Sequence, residues 1–135
     1  MKIAIIGFGN MGQTYASSFV SSGFIKSEDI FVLTRDLSKI ENKYSIPKEN
    51  FFTEISGSFL SVDIVIIAVK PQDFDSLCFQ IKDFITESHL ILSVMAGISI
   101  ENISEKLHVK KIIRSMPNIP TQIGQGMTVF TASQE

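Results

Sequence analysis

Gly7, Gly9 and Gly12 stand in the hexapeptide Gly7-Phe8-Gly9-Asn10-Met11-Gly12, directly behind Lys2-Ile3-Ala4-Ile5-Ile6. An apolar run that feeds a glycine-rich turn and then a helical segment is how a βαβ unit cradles the pyrophosphate of a dinucleotide. Each glycine has its own task. Gly7 permits the tight turn out of the strand, Gly9 lets phosphates approach a bare backbone, and Gly12 lets the helix pack close to the strand. The free N–H groups of the first helical turn, with the helix dipole behind them, then face the anion. Six residues alone would also fit an ordinary strand–turn–helix connection, so the flanks carry the argument. Ile3 to Ile6 reads as a strand buried on both faces. Met11, Tyr15, Phe19 and Val20 recur near helical spacing, and Gly23 stands where a C-terminal glycine cap would.

The second candidate site is the end of the next strand, Ile30-Phe31-Val32-Leu33. That position reads the adenosine ribose, and an acidic residue there would accept from the 2′-OH of NAD. Here it is Thr34, followed by Arg35 and Asp36. The Arg35 guanidinium can pair with a 2′-phosphate and stack on adenine, and Thr34 can donate a hydroxyl. This favours NADP, with Asp36 as a helix cap. A register shifted by two would instead bring Asp36 to the ribose and favour NAD.

The elements that must position these residues alternate along the chain. Asp36 or Ser38 caps a second helix toward Tyr44, which Pro47 ends. Phe51-Phe52-Thr53 is a short third strand. Ile64-Val65-Ile66-Ile67-Ala68-Val69 is the strongest strand, β-branched and apolar as a central parallel strand must be. Pro71 starts a helix whose apolar stripe is Phe74, Leu77, Cys78, Ile81, Phe84 and Ile85. Leu90 to Val94 is the next strand, Ser99 caps a short helix through Leu107, and Ile112-Ile113 and Met127 to Phe130 lie in the last two. This alternation predicts an α/β fold: a doubly wound, mainly parallel sheet of Rossmann type with helices on both faces, spanning residues 1–135 as one NAD(P)-binding domain.

Composition narrows the function classes. The chain has 135 residues, 44% of them hydrophobic, with 12 basic and 14 acidic side chains for a net charge of −2. No basic patch points to nucleic acid, and no apolar run is long enough for a membrane span or a secretory signal. The single Cys78 precludes an internal disulfide and fits a reducing cytoplasm; it reads as a small buried hydrophobe. His89 and His108 are isolated, so no metal site is expected. His89 reads as structural, and Lys110-Lys111 as a solvated turn.

Three further segments, taken with the glycine turn, carry a family resemblance. They are Ala68-Val69-Lys70-Pro71-Gln72, then Ser93-Val94-Met95-Ala96-Gly97, then Arg114-Ser115-Met116-Pro117-Asn118-Ile119-Pro120 leading to Gly124-Gln125-Gly126-Met127-Thr128. In order and spacing the chain resembles the N-terminal cofactor domain of pyrroline-5-carboxylate reductases. The resemblance implies NADPH- or NADH-dependent reduction of a cyclic imine to proline. It places Gly7, Phe8, Gly9, Asn10, Met11 and Gly12 at the pyrophosphate and Thr34 and Arg35 at the adenosine end. It puts Ala68, Val69, Lys70 and Pro71, with Met95, Ala96 and Gly97, along the nicotinamide, and Asn118 beside nicotinamide and substrate.

Lys70 is either drawn to the cofactor or a surface lysine resting its stem on apolar neighbours. No side chain is assigned as catalytic, because hydride chemistry needs no protein nucleophile. Family members are about twice as long. Their second, helical domain builds the dimer and the imino-acid pocket, the small-molecule substrate site of a homo-oligomer, and it is expected to be absent from this chain. The chain alone is therefore expected to bind cofactor but to turn over slowly or not at all. The asparagine that the family often places between Thr53 and Ser61 is not found here. Competing readings are a domain that passes hydride between a deazaflavin and NADP, and a non-catalytic NADP-binding regulator related to competence proteins.

Overall fold

A computed structural model describes residues 1–39, 45–55, 57, 61–116 and 129–132. Seven strands form one sheet in the order β3-β2-β1-β4-β5-β6-β7. They are β1 (Ile3–Ile6), β2 (Ile30–Leu33), β3 (Phe51–Phe52), β4 (Ile64–Ile67), β5 (Leu90–Ser93), β6 (Ile112–Met116) and β7 (Val129–Ala132). β1 to β6 pair in parallel, and β7 runs antiparallel to β6, with Met116 opposite Val129. The order reverses between β1 and β4, which is the topological switch point where open α/β sheets bind ligands.

The sheet is buried on both faces, and β1 shows how. Ala4 and Ile6 join one core with Val65, Ile67 and Ile91, beneath α2 (Phe74–Ile81) and α3 (Ile100–Leu107). Ile3 and Ile5 join a second core with Val32 and Ile66, beneath α1 (Asn10–Ser21). A strand with apolar residues at every position suits only this sandwich between helices, because successive side chains go to opposite faces. α1 approaches the sheet through its buried small residues Gly12 and Ala16, while Tyr15, Phe19 and Val20 pack along the flanks.

The helix ends are built by local chemistry. α1 closes on Gly23, whose φ of 72° suits a residue without a Cβ. Gly23 N–H donates to the Val20 carbonyl and Phe24 N–H to the Phe19 carbonyl, both at 3.1 Å, and the Phe19 and Phe24 rings pack together. This is the Schellman pattern with its hydrophobic contact. α3 is capped by Ser99, whose Oγ accepts from Asn102 N–H at 3.1 Å.

Several boundaries differ from the sequence reading. β4 stops at Ile67, and Ala68 and Val69 leave the sheet although both are apolar. Pro71 opens a 3₁₀ turn over Pro71–Asp73 before α2 begins at Phe74. α2 ends at Ile81, so Phe84 sits in the turn that follows. Asp36 caps a 3₁₀ turn at Leu37–Lys39; Tyr44, where a longer helix was expected to end, lies outside the described residues. Among the described residues no helix is long and apolar enough to cross a membrane.

Candidate functional site

The glycine turn has three demands, one for each glycine. Gly7 continues the β1–β2 ladder, donating its N–H to the Leu33 carbonyl at 2.9 Å. Its φ is 92°, and a Cβ there would stand 2.7 Å from the Ala68 carbonyl oxygen, so conformation and space both exclude a side chain. A Cβ on Gly12 would fall on the carbonyl oxygen of Gly7, far inside van der Waals contact. Gly9 is different. It caps α1 in extended backbone, and a Cβ there would meet nothing within 4 Å. Gly7 and Gly12 therefore hold strand, loop and helix together, and Gly9 leaves room above them.

That room lies over a helix start suited to an anion. Gln13 N–H makes the first helical bond, to the Gly9 carbonyl at 3.0 Å. The amides of Asn10, Met11 and Gly12 thus begin the helix without a carbonyl partner inside it. No acidic side chain stands in the first turn. Gln13 Nε2 donates back to the Phe8 carbonyl at 2.9 Å and braces the turn. The Phe8 ring points away into the core, edge-on to Phe51 at 5.7 Å, so its part in any site is played by backbone.

Beside the turn lies a cavity of about 220 Å³ at the carboxyl ends of β1, β2 and β4. Ile6, Leu33 and Leu77 give it apolar walls, and Thr34, Arg35, Thr53, Asp73, Ser76 and Gln80 give it a polar rim. Thr34 is fixed by its N–H, which donates to the Phe52 carbonyl at 2.9 Å. Arg35 Nη2 pairs with Asp73 Oδ1 at 3.0 Å. Asp36 is not among the lining residues. Its Oδ1 accepts from Ser38 N–H at 2.9 Å and from Ser38 Oγ at 2.6 Å. The first residues beyond β2 that reach the cavity are therefore Thr34 and Arg35.

The expected residues of the loops after β4 and β5 lie along the same sheet edge. Ala68 N–H donates to the Ile6 carbonyl at 2.8 Å, which seats the loop after β4 against the glycine turn. Val69 lines the cavity, while Lys70 and Pro71 are exposed at its margin. After β5, Ala96 and Gly97 are exposed, but the Met95 side chain is buried in the core, which leaves its backbone to face the edge. Ser93 Oγ accepts from Met95 N–H at 3.3 Å and shapes that loop. Asn118, with the segment from Pro117 to Thr128, lies outside the described residues.

Sequence reasoning missed Thr53, Asp73, Ser76 and Gln80. The last two stand one helical turn apart on the outward side of α2, a spacing visible in the sequence once the helix is placed. Of the isolated groups, His89 is buried ahead of β5 with Nδ1 accepting from Thr86 N–H at 3.0 Å, a structural role. Cys78 is buried on α2, and burial pushes its thiol up to about 11.

Residues 2–97 match the family of NADP oxidoreductases described as coenzyme F420-dependent. Over 135 aligned residues the chain is 36% identical to a pyrroline-5-carboxylate reductase of Aquifex aeolicus, covering 97% of this chain and 48% of that protein. Among solved structures, a pyrroline-5-carboxylate reductase from Coxiella burnetii superposes with a TM-score of 0.88 at 28% identity, covering 98% of this chain and 50% of that one. A Plasmodium falciparum pyrroline carboxylate reductase with NADP bound gives a TM-score of 0.83 at 25% identity, over 100% of this chain and 49% of that one. The chain thus spans about half the length of curated relatives such as the Aquifex protein.

Proposed function

Because the chain belongs to the NADP oxidoreductase family described as coenzyme F420-dependent, we propose that it is the NADPH-binding domain of a pyrroline-5-carboxylate reductase. The observation that carries this reading is the open space above Gly9, over helical amides without a cap, beside a cavity rimmed by Thr34 and Arg35. The helix start from Gly7 to Gly12, with Phe8, Asn10 and Met11 contributing backbone, holds the pyrophosphate. Thr34 and Arg35 take the 2′-phosphate. The loops at 68–71 and 95–97 flank the nicotinamide in this proposal, and Asn118 is assigned a contact with nicotinamide and substrate on the family resemblance alone.

When bound, NADPH supplies the hydride that reduces the imine carbon of the ring. The chain's own residues supply position and electrostatics: they fix the cofactor's two ends and keep the sheet edge clear between them. The whole protein then works on a small molecule in the cytoplasm, as a homo-oligomer. Relatives named pyrroline-5-carboxylate reductase, both in sequence and in structure, support this choice of substrate. The family's own description favours a second reading, hydride exchange between NADP and a deazaflavin.

Calorimetric titration of the 135-residue chain with NADPH tests the binding reading, and a chain that takes up no NADPH refutes it. Assay of the complete protein with pyrroline-5-carboxylate, and separately with reduced deazaflavin and NADP, decides between the reactions. Activity only in the second assay would overturn the imine reading. Rescue of a proline auxotroph by the complete gene distinguishes the enzyme from a regulator. The 135-residue chain on its own is expected to turn over well below about 1 per second.

A further inference from the structure

Asp73 stands in the adenosine cavity with no role in the proposed chemistry. It sits in the 3₁₀ turn after β4, lines the cavity, and pairs with Arg35 from the loop after β2. The two partners are not equally held. The Arg35 side chain is 78% exposed and that of Asp73 28%. An exposed arginine is free to turn to another anion, because a solvated ion pair holds it only weakly. The carboxylate stays with the turn that carries it.

We infer that Asp73 is a specificity-determining residue that holds the site open to NADH, by competing with the 2′-phosphate of NADPH for Arg35 and by offering an acceptor to a free 2′-hydroxyl. This rests on the reading of the cavity as the adenosine site. A 2′-phosphate must draw Arg35 from Asp73 and then sit close to a carboxylate of like charge. A 2′-hydroxyl does neither. It leaves the pair intact and can donate to the carboxylate, as a ribose does to the acidic residue of NAD sites. Arg35 and Asp73 together make a selector with opposed halves, and its setting is the balance between them.

The experiment titrates NADPH and NADH into the wild-type chain, Asp73→Asn, Arg35→Ala and the double variant, at fixed low salt. Asparagine keeps the shape and an acceptor oxygen but not the charge. Asp73→Asn is expected to tighten NADPH on the order of fivefold, with NADH changed by less than twofold. In the Arg35→Ala background the gain shrinks, because nothing is left to compete for. Equal losses for both cofactors, weaker NADPH binding, or the same gain with and without Arg35 each overturn the inference while leaving NADPH binding by the wild type intact. A wild-type chain that binds neither nucleotide removes the cavity's assignment and this inference with it. Should Asp73→Asn fail to fold by far-UV circular dichroism, Asp73→Ser carries the NADPH expectation alone: tighter binding that shrinks in the Arg35→Ala background.

Discussion

Gly9 and Gly12 lie three residues apart in one turn, yet substitution should separate them. Gly12→Ala forces a methyl group onto the Gly7 carbonyl, which is backbone and cannot step aside. Overpacking of this kind outweighs the helical preference for alanine, and urea unfolding is expected to show a loss of about 2 kcal/mol. Gly9→Ala meets open space, so stability should stay within about 1 kcal/mol of wild type. Its NADPH affinity should nevertheless fall by tenfold or more if the proposed pyrophosphate site is right, since the methyl group would occupy the open space above the helix start. Arg35→Ala makes the complementary claim: NADPH binding weakens far more than NADH binding, and equal losses would refute the 2′-phosphate assignment. The glycines were legible in the sequence because their requirements are those of the backbone itself. Asp73 was not, because its meaning comes from two loops, after β2 and after β4, that only the folded sheet brings within 3.0 Å.

Elements were legible where burial alone decides them. The apolar runs at Ile3–Ile6, Ile30–Leu33 and Ile64–Ile67 are strands because a two-faced core demands them. Their ends were harder. Ala68 and Val69 continue the apolar pattern of β4, yet the β1–β4 ladder ends on the Ala68 N–H bond to the Ile6 carbonyl, because β1 itself passes into the glycine turn at Gly7. Helix ends with side-chain or glycine chemistry were readable, as Ser99 and Gly23 show. The Gly23 cap can be measured. Alanine there must hold a φ of 72°, and Gly23→Ala is expected to lower stability by about 1 kcal/mol in urea unfolding, with cofactor affinity unchanged. A neutral result would mean that the Phe19–Phe24 contact, not the glycine, closes α1.

Across the whole molecule, the alternation of strands and helices, with the glycine turn behind the first strand, announced a doubly wound sheet of Rossmann type, and the reversal between β1 and β4 that makes the cleft belongs to that order. The antiparallel direction of β7 was not announced, because no residue type marks it. Stability of the whole fold should carry one readable pH signature. Cys78 packs with Phe74, Leu77 and Ile81 beneath the sheet, and burial raises its thiol from near 9 to about 11. Above pH 9 the unfolded chain therefore sheds a proton that the native chain keeps, so unfolding becomes easier as pH rises. The contribution is complete below pH 9 and is lost progressively as pH climbs toward 11. Comparison with Cys78→Ala isolates it from the tyrosines and lysines that titrate in the same range. The alanine variant is less stable by a roughly constant amount at lower pH, since it leaves a small void. Between pH 8.5 and 10 the wild-type advantage over the variant should shrink by on the order of 1 kcal/mol. An advantage that stays flat across that interval would mean that the α2 face admits water to the thiol, and that this core is looser than its packing implies.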